Sequence, residues 1–127
     1  QPDILTAGGI LETKKIGDMA QEYGVPMVLH MAESPIACFA CVHCAAATEN
    51  FLVLENHDVD NPSWGDIVDG VEKPIVNKGF IEVPEGPGLG ITLNEEAVKK
   101  QMTEPGYFEP TPEWDPPKTR INDRLWS

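Results

Sequence analysis

The sequence is poor in basic residues, and this narrows the range of partners. Its 127 residues contain 9 Lys and Arg against 21 Asp and Glu, which gives a formal net charge of −12. Such an excess of negative charge repels phosphate groups, so the composition argues against nucleic acid or an anionic membrane as a partner. An uninterrupted apolar run of about 18 residues is also missing, so no membrane-spanning helix is predicted.

Cysteine is scarce, and its setting indicates packing. Cys38, Cys41 and Cys44 are three residues apart, and the first pair has the spacing of some metal and redox motifs. The same spacing places all three near one face of an alanine-rich helix, where they would serve as small buried hydrophobes. Their odd number and apolar setting predict a reducing compartment, and we expect a cytoplasmic protein.

The amino-terminal residues lack the marks of a chain start. Gln1-Pro2-Asp3 offers no initiator methionine, no basic segment and no apolar segment of a signal peptide. We therefore expect the sequence to be internal to a longer polypeptide.

Strand and helix patterns alternate along the first 58 residues. A strand end is expected at 1–5. The continuous apolar run 25–29 predicts a strand covered on both faces, and the run 51–54 predicts a third strand. Helical spacing predicts an α-helix over 10–23, and Ser34 with Pro35 predicts the start of a second helix that runs to Thr48. The short connections of this β-α-β-α-β order require parallel strands, so the fold class is α/β. The residues expected on the buried side of the first helix are Ile10, Thr13, Ile16, Met19, Ala20 and Tyr23.

An ionisable residue ends each predicted strand: Asp3, His30 and Glu55, which are 27 and 25 residues apart. The carboxyl ends of parallel strands meet at one edge, where barrels and doubly wound sheets hold their active sites. We call this edge, with residues 3, 30 and 55, the strand-end rim.

These three side chains suit acid–base chemistry. The Asp3 carboxylate can orient the His30 imidazole and raise its basicity, leaving the other ring nitrogen free to take a proton. Glu55, if it stays protonated, can donate a hydrogen bond to a developing oxyanion. An interpretation without catalysis is equally open: Asp3 would cap a loop, His30 would be a hydrogen-bonded histidine at the rim, and Glu55 would form an ion pair.

The sequence evidence for other functional motifs is weaker. The chain has no Gly-x-Ser-x-Gly, so Ser34 is not expected to be a nucleophile. A zinc site from His30, His43 and His57 is not favoured, because His43 falls within an apolar helix and the histidines lack ligand spacing. The glycines of 86–90 do not open a helix directly after a strand, so they indicate a loop and not a phosphate site.

The pattern changes after residue 58. A β-hairpin is predicted over 74–83, and Asn94 is expected to cap a short helix over 95–102. Residues 103–127 hold five of the twelve prolines and several aromatic residues. Three parallel strands cannot close an eightfold barrel, which needs about 250 residues, so the chain is expected to be the carboxyl-terminal part of a larger fold.

Several stretches together resemble the enolase superfamily. Gln1-Pro-Asp3 followed by Ala7-Gly-Gly-Ile10 is similar to the sixth barrel strand and its loop, and 19–30 to the sixth helix and seventh strand. Leu54-Glu55 resembles the eighth strand, and 78–90 resembles the carboxyl-terminal stretch. Within the superfamily the chain looks like the mandelate racemase and muconate lactonizing enzyme group, and most of all like its acid-sugar, galactonate-type dehydratases.

The resemblance implies a (β/α)7β TIM-like barrel with an α+β capping domain. Residues 1–58 would supply the last three β/α units, and 59–102 a segment with a hairpin that returns to the capping domain. Residues 103–127 would be a tail rich in proline and aromatic residues that makes packing or oligomer contacts. The expected partners are the remainder of the barrel, the capping domain and further copies in a homo-oligomer.

The resemblance also implies roles for the site residues. The shared chemistry is removal of the proton α to a carboxylate, giving an enediolate held by Mg²⁺. Asp3 matches the dyad aspartate, His30 the general base that later helps the 3-hydroxyl leave, and Glu55 the acid that hydrogen-bonds the substrate carboxylate. The metal ligands of the family lie upstream, so none is expected in this chain. Further rim residues expected to touch the substrate are Met31, Glu33 and His57.

The expected function is therefore Mg²⁺-dependent dehydration of a sugar acid to a 2-keto-3-deoxy acid, the work of a lyase in carbohydrate-acid catabolism. A racemase, epimerase or cycloisomerase of the same superfamily is the first alternative. A non-catalytic barrel fragment that acts as a structural partner is the second.

Overall fold

A computed structural model describes residues 1–58 and 60–102 of the chain. The tail predicted over 103–127 lies outside these residues. In the described part, no helix has both the length and the apolar character needed to cross a membrane.

Helices and short strands alternate in the amino-terminal half. The elements there are α1 (Gly9–Glu22), β1 (Met27–Leu29), α2 (Pro35–Ala46) and β2 (Phe51–Leu54). A 3₁₀ helix (Trp64–Ile67) follows, then β3 (Val68–Asp69), β4 (Thr92–Leu93) and α3 (Glu95–Gln101). The order of the first four elements matches the prediction. β1 is shorter than the apolar run 25–29 that predicted it, whereas β2 has the predicted bounds 51–54.

The strands carrying the rim residues are parallel, as predicted. β1 pairs with β2, with Leu29 opposite Leu54. The expected strand at 1–5 is reduced to a single parallel bridge between Asp3 and His30, in which the His30 N–H donates to the Pro2 carbonyl at 3.1 Å. That bridge suffices to place the amino-terminal residues beside the end of β1.

α2 forms the centre of the core. Pro35 occupies the first turn of α2, a position that proline's fixed φ favours. Ser34, which precedes it, has an extended conformation. The expectation of buried cysteines is confirmed: all three are free thiols with at most 1 % exposure, and burial raises the pKa of Cys38 and Cys41 to about 12. Buried residues that pack with them include Ile4, Leu29, Met31, Phe39, Trp64, Val68 and Ile75.

The predicted buried face of α1 is partly wrong. Thr13 is buried as predicted, but Met19 and Tyr23 are 68 % and 81 % exposed in the described part of the chain, and Gly17, which was not predicted, is buried. An ideal Cβ at Gly17 would lie 2.7 Å from Thr48 Cγ2 and 3.0 Å from Met27 Sδ. The helix thus approaches the sheet through its smallest residue, which a search for large apolar side chains overlooks.

The hairpin predicted over 74–83 is also wrong as a pair of strands. Only one antiparallel bridge, between Asn77 and Phe80, closes a turn whose Lys78 and Gly79 both have positive φ. The antiparallel ladder of this half joins β3 to β4 instead, and strands of two residues are too short to carry a sequence pattern. The helix expected after Asn94 is confirmed, because the Asn94 Oδ1 accepts the Ala97 N–H at 3.0 Å.

Candidate active site

Asp3 and His30 form a hydrogen-bonded pair at the strand-end rim. The Asp3 Oδ2 lies 2.8 Å from the His30 Nδ1. The other carboxylate oxygen, Oδ1, accepts the Leu5 and Thr6 N–H groups at 2.9 and 3.1 Å. Because both oxygens are engaged, the carboxylate has one orientation, and that orientation points at the imidazole.

The same contacts set the charge of Asp3. Burial by itself raises its pKa, but the hydrogen bonds from His30, from the Thr6 and Leu5 N–H groups and from Glu33 outweigh it and lower the pKa to about 2. An ionised Asp3 can only accept at Oδ2, so the His30 Nδ1 carries the proton. The Nε2 lone pair is then free for chemistry.

His30 is more basic than an ordinary histidine. Its hydrogen bond to Asp3 is the main cause of the raised pKa, and the negative charge of Glu55 adds to it. The side chain is 36 % exposed, so a molecule at the rim can reach it. A raised basicity with an open nitrogen is the property required of a general base.

Glu55 lies beside His30 on the neighbouring strand. Its N–H donates to the Leu29 carbonyl at 2.9 Å, which continues the β1–β2 pairing to the rim. The Oε1 accepts from the His57 Nε2 at 2.8 Å, and the Oε2 accepts from the Gln1 side-chain amide.

These contacts correct the idea that Glu55 is kept protonated. The hydrogen bond from His57 is the main cause of a lowered pKa for Glu55, and the nearby His30 contributes. In this structure Glu55 is therefore an ionised acceptor and not a donor.

Of the further residues expected at the rim, one is buried in the core and two lie at the rim. Met31 is fully buried in the core, so the expectation that it touches a substrate is corrected: the side chain beyond His30 turns inward against α2. Glu33 stays at the rim, where burial raises its pKa and its Oε2 accepts the Ala32 N–H at 3.0 Å. His57 also stays, and its ring centroid is 5.3 Å from that of His30.

Sequence reasoning missed three supporting residues. Trp64 donates from Nε1 to the Glu33 carbonyl at 2.8 Å and so holds the loop after His30. Gln1 and Thr6 bind the carboxylates of Glu55 and Asp3. The contact between Glu55 and His57 could have been predicted from their spacing, because residues two apart in an extended segment point to the same side.

The rim side chains are poorly suited to Mg²⁺. In the described ranges, two groups have potential ligand atoms within 4.8 Å of one another: Asp3, His30 and Glu33, and His30, Glu55 and His57. Each includes an imidazole, whereas Mg²⁺ prefers an octahedron of oxygen atoms, and the oxygens of Asp3 and Glu55 already accept hydrogen bonds. His43 belongs to neither group, and its Nε2 bonds the Leu89 carbonyl at 3.1 Å.

Parallel strands that bring an Asp–His pair and a carboxylate to one edge define an α/β protein in which ionisable side chains meet at the carboxyl end of the strands, where barrel proteins hold their active sites. The chain belongs to the enolase C-terminal domain-like family, whose model matches residues 1–97. The resemblance to the enolase superfamily is thereby confirmed, as is the α/β barrel-type fold at that level.

Known relatives agree with this assignment. The chain is 42 % identical over 103 residues to the D-xylonate dehydratase of Haloferax volcanii, covering 81 % of this chain and 24 % of the relative. It is 33 % identical over 131 residues to the D-galactonate dehydratase of Xanthomonas axonopodis pv. citri, covering 97 % and 32 %. The chain thus spans about a quarter to a third of the length of these relatives.

A solved structure shows the same likeness. The mandelate racemase/muconate lactonizing enzyme-like protein of Rubrobacter xylanophilus superimposes with a TM-score of 0.74 at 40 % sequence identity. The match covers 80 % of this chain and 26 % of the other.

Proposed function

We propose that this chain is the carboxyl-terminal barrel segment of a sugar-acid dehydratase and carries its general base. The observation that supports the proposal most is the Asp3–His30 hydrogen bond of 2.8 Å at the strand-end rim. The relatives named as D-xylonate and D-galactonate dehydratases supply the substrate class, an aldonic acid.

His30 performs the proton transfers in this proposal. Its Nε2 takes the proton from the carbon α to the substrate carboxylate, and the C–H electron pair enters an enediolate. Asp3 holds the Nδ1 proton and stabilises the imidazolium that forms. When the enediolate expels the 3-hydroxyl, the Nε2–H returns its proton and the group leaves as water. The resulting enol tautomerises to the 2-keto-3-deoxy acid, and His30 is neutral again.

Glu55 is proposed to meet the substrate carboxylate. It is ionised in the structure, and a second carboxylate beside it would raise its pKa because two negative charges disfavour one another. Glu55 would then take up a proton as the substrate binds and donate a hydrogen bond to it. Glu33, close to the dyad, is the remaining rim carboxylate that a substrate hydroxyl can reach.

Mg²⁺ is proposed as the cofactor of the whole protein, since enolase superfamily members generally use it. It would stabilise negative charge on the substrate oxygens. The described rim residues do not fit it, so its ligands are proposed to come from other strands of the barrel, and no step above depends on the ion.

The remainder of the barrel and the capping domain are proposed as the structural partners. Large apolar side chains on β2 are exposed in the described part, Leu52 at 65 % and Val53 at 51 %. A complete barrel would cover them, and residues 59–102 would contact the cap. Homo-oligomerisation remains a proposal for the full protein.

A racemase or epimerase is the second candidate. The first proton transfer is common to both reactions, and the Rubrobacter xylanophilus structure carries the mandelate racemase name. The two candidates differ in the fate of the enediolate, which either loses water or regains a proton at the same carbon.

One experiment separates the candidates. The full-length protein that contains this chain is incubated with Mg²⁺ and a set of sugar acids, including D-xylonate, D-galactonate and D-gluconate, in D₂O. A 2-keto-3-deoxy product supports dehydration, and α-deuterium incorporation without elimination supports racemisation. If the His30→Asn variant turns over as the wild type does, His30 is not the base. If wild type and variant both leave every acid unchanged, the non-catalytic alternative gains support.

A further inference from the structure

His57 is tied to the rim at three points. Its N–H donates to the Met31 carbonyl at 3.2 Å, which fixes the backbone two residues beyond Glu55. Its Nε2 is 2.8 Å from the Glu55 Oε1, and its ring meets that of His30 at a centroid distance of 5.3 Å and an angle of 56°. The proton transfers proposed above make no use of this side chain.

Glu55 is in a position to interfere with the base. One ligand atom each from His30, Glu55 and His57 lies within 4.8 Å of the others, so the carboxylate is close to the imidazole it neighbours. An ionised carboxylate that bonds the Nε2–H of an imidazolium stabilises the protonated ring. Nε2 is the nitrogen that must be unprotonated to remove the α-proton, because Asp3 occupies Nδ1.

In the structure, both oxygens of Glu55 are engaged elsewhere. His57 holds Oε1, and the Gln1 amide holds Oε2. Because Glu55 is an acceptor, His57 is the donor in their bond, through Nε2–H. A hydrogen bond to a charged acceptor is stronger than one between neutral groups, so this contact restrains the carboxylate.

We propose that His57 is a positioning residue: it holds the Glu55 carboxylate away from the His30 Nε2 and thereby keeps the general base open. This inference rests on the proposed function, in which His30 Nε2 takes the α-proton. His57 itself transfers no proton in this account. The titratable groups that face this cluster are Asp3 from the amino-terminal segment, His30 and Glu33 from the β1–α2 connection, and Glu55 from the end of β2.

The test compares two substitutions of His57 in the full-length protein. His57→Phe keeps a ring of similar size beside His30 but removes the donor to Glu55. His57→Gln keeps an N–H donor the same number of bonds from Cβ as the His57 Nε2, on a non-aromatic side chain. NMR titration of the His30 ring, assigned with His30→Asn, reports the pKa of the base without any need for turnover.

We expect His57→Phe to raise the pKa of His30 by about one unit, since the freed carboxylate can then bond the imidazolium. The acid limb of the kcat/KM profile should move upward with it, so activity falls near pH 6 and recovers at higher pH. His57→Gln should leave the pKa of His30 close to the wild-type value. His43→Gln, at a histidine that bonds the Leu89 carbonyl away from the rim, is the matched control and should not shift it.

A second background tests the route through Glu55. In Glu55→Gln the side chain has no charge to offer, so adding His57→Phe should no longer raise the pKa of His30. If His57→Phe proves unfolded by its melting curve, His57→Leu replaces it. An unshifted His30 titration in folded His57→Phe overturns the proposal, and so does a shift that persists in the Glu55→Gln background. If His30 titrates as expected but no sugar acid reacts, the dehydratase proposal fails while the restraint on Glu55 stands.

Discussion

The His30 Nδ1 and the Asp3 Oδ2 are 2.8 Å apart, although 27 positions separate the two residues in the sequence. A single parallel bridge between their backbones makes this contact possible. The carboxylate is fixed on its other side by the Leu5 and Thr6 N–H groups, so the imidazole has a partner whose direction does not vary. The catalytic account depends on this pair.

Asp3→Asn should abolish most of the activity while leaving the fold intact. An amide at this position can donate to Nδ1, which would move the histidine proton to Nε2 and block the base, and the loss of charge would lower the pKa of His30. We expect kcat to fall by about 10²- to 10⁴-fold. Thr6→Val, which removes the hydroxyl contacts of 3.3 Å to the Asp3 Oδ1 and 3.5 Å to the Asp3 carbonyl but keeps the Thr6 N–H bond, should cost far less. Similar losses in both variants would show that the site is sensitive to any change and that the dyad has no special role.

Asp3 should stabilise the folded protein near neutral pH and lose this contribution on acidification. Its pKa is lowered on folding from 3.8 to about 2, so its contribution is fully present above pH 4 and is lost as the pH falls towards 2. The wild-type protein should therefore lose more of its melting temperature than Asp3→Asn over this range. Melting curves between pH 5 and 2 provide the measurement. Parallel curves for the two proteins would mean that the carboxylate is not held as the structure indicates.

Substrate binding should be coupled to proton uptake at Glu55. This carboxylate is ionised in the free protein, and a substrate carboxylate beside it would raise its pKa. Calorimetry of sugar-acid binding to His30→Asn, repeated in buffers of different ionisation enthalpy, counts the protons taken up. We expect uptake that disappears when Glu55→Gln is added. Binding without proton uptake at pH 6–7 would place the substrate carboxylate away from Glu55.

Gly17→Ala should destabilise the protein. Replacing an exposed helical glycine by alanine usually stabilises by about 0.4–1 kcal/mol, but here the new Cβ would lie 2.7 Å from Thr48 Cγ2. The overpacked contact should cost about 1–3 kcal/mol and lower the melting temperature. Glu22→Ala, at an exposed position of the same helix, serves as the control. A rise in melting temperature for Gly17→Ala would show that α1 lies farther from the sheet.

Trp64→Phe should loosen the loop that follows His30. The substitution keeps most of the buried ring but removes the donor to the Glu33 carbonyl at 2.8 Å, for a cost of about 1 kcal/mol. Activity should fall modestly, with a larger change in KM than in kcat, because the dyad itself is untouched. Measuring both constants with the best sugar acid checks this, and an effect confined to kcat would contradict it.

Strand-end position carries most of the site information that is visible in the sequence. His30 and Glu55 each follow an apolar run, and Asp3 lies in the short segment 1–5 that was expected to end a strand. Parallel topology then predicts that the three residues meet. The orientation of Glu55 was only partly predictable: its donor His57 is two residues away, but its other donor, Gln1, is 54 positions away, and no local pattern connects the two. Met31 was expected at the rim because of its neighbour, yet the alternation of an extended chain turns it into the core.

The fold was predictable where side-chain patterns are long and less so where contacts are small. Helix α2 follows directly from Ser34, Pro35 and an apolar run. The position of helix α1 was predicted correctly, but its contact face was not, because Gly17 has no side chain that would mark that face as apolar. The short ladder between β3 and β4 pairs Val68 with Leu93 and Asp69 with Thr92, which are distant in the sequence. No local periodicity predicts this pairing.

The most direct test of the central claim is the rate of α-proton loss in His30→Asn. The full-length variant, shown to be folded by its melting curve, is incubated with Mg²⁺ and the sugar acid that the wild type uses best, in D₂O. We predict that dehydration and α-deuterium exchange both fall by more than about 100-fold, because one nitrogen removes the proton that starts every later step. Loss of less than about 100-fold in α-proton removal would contradict His30 as the general base.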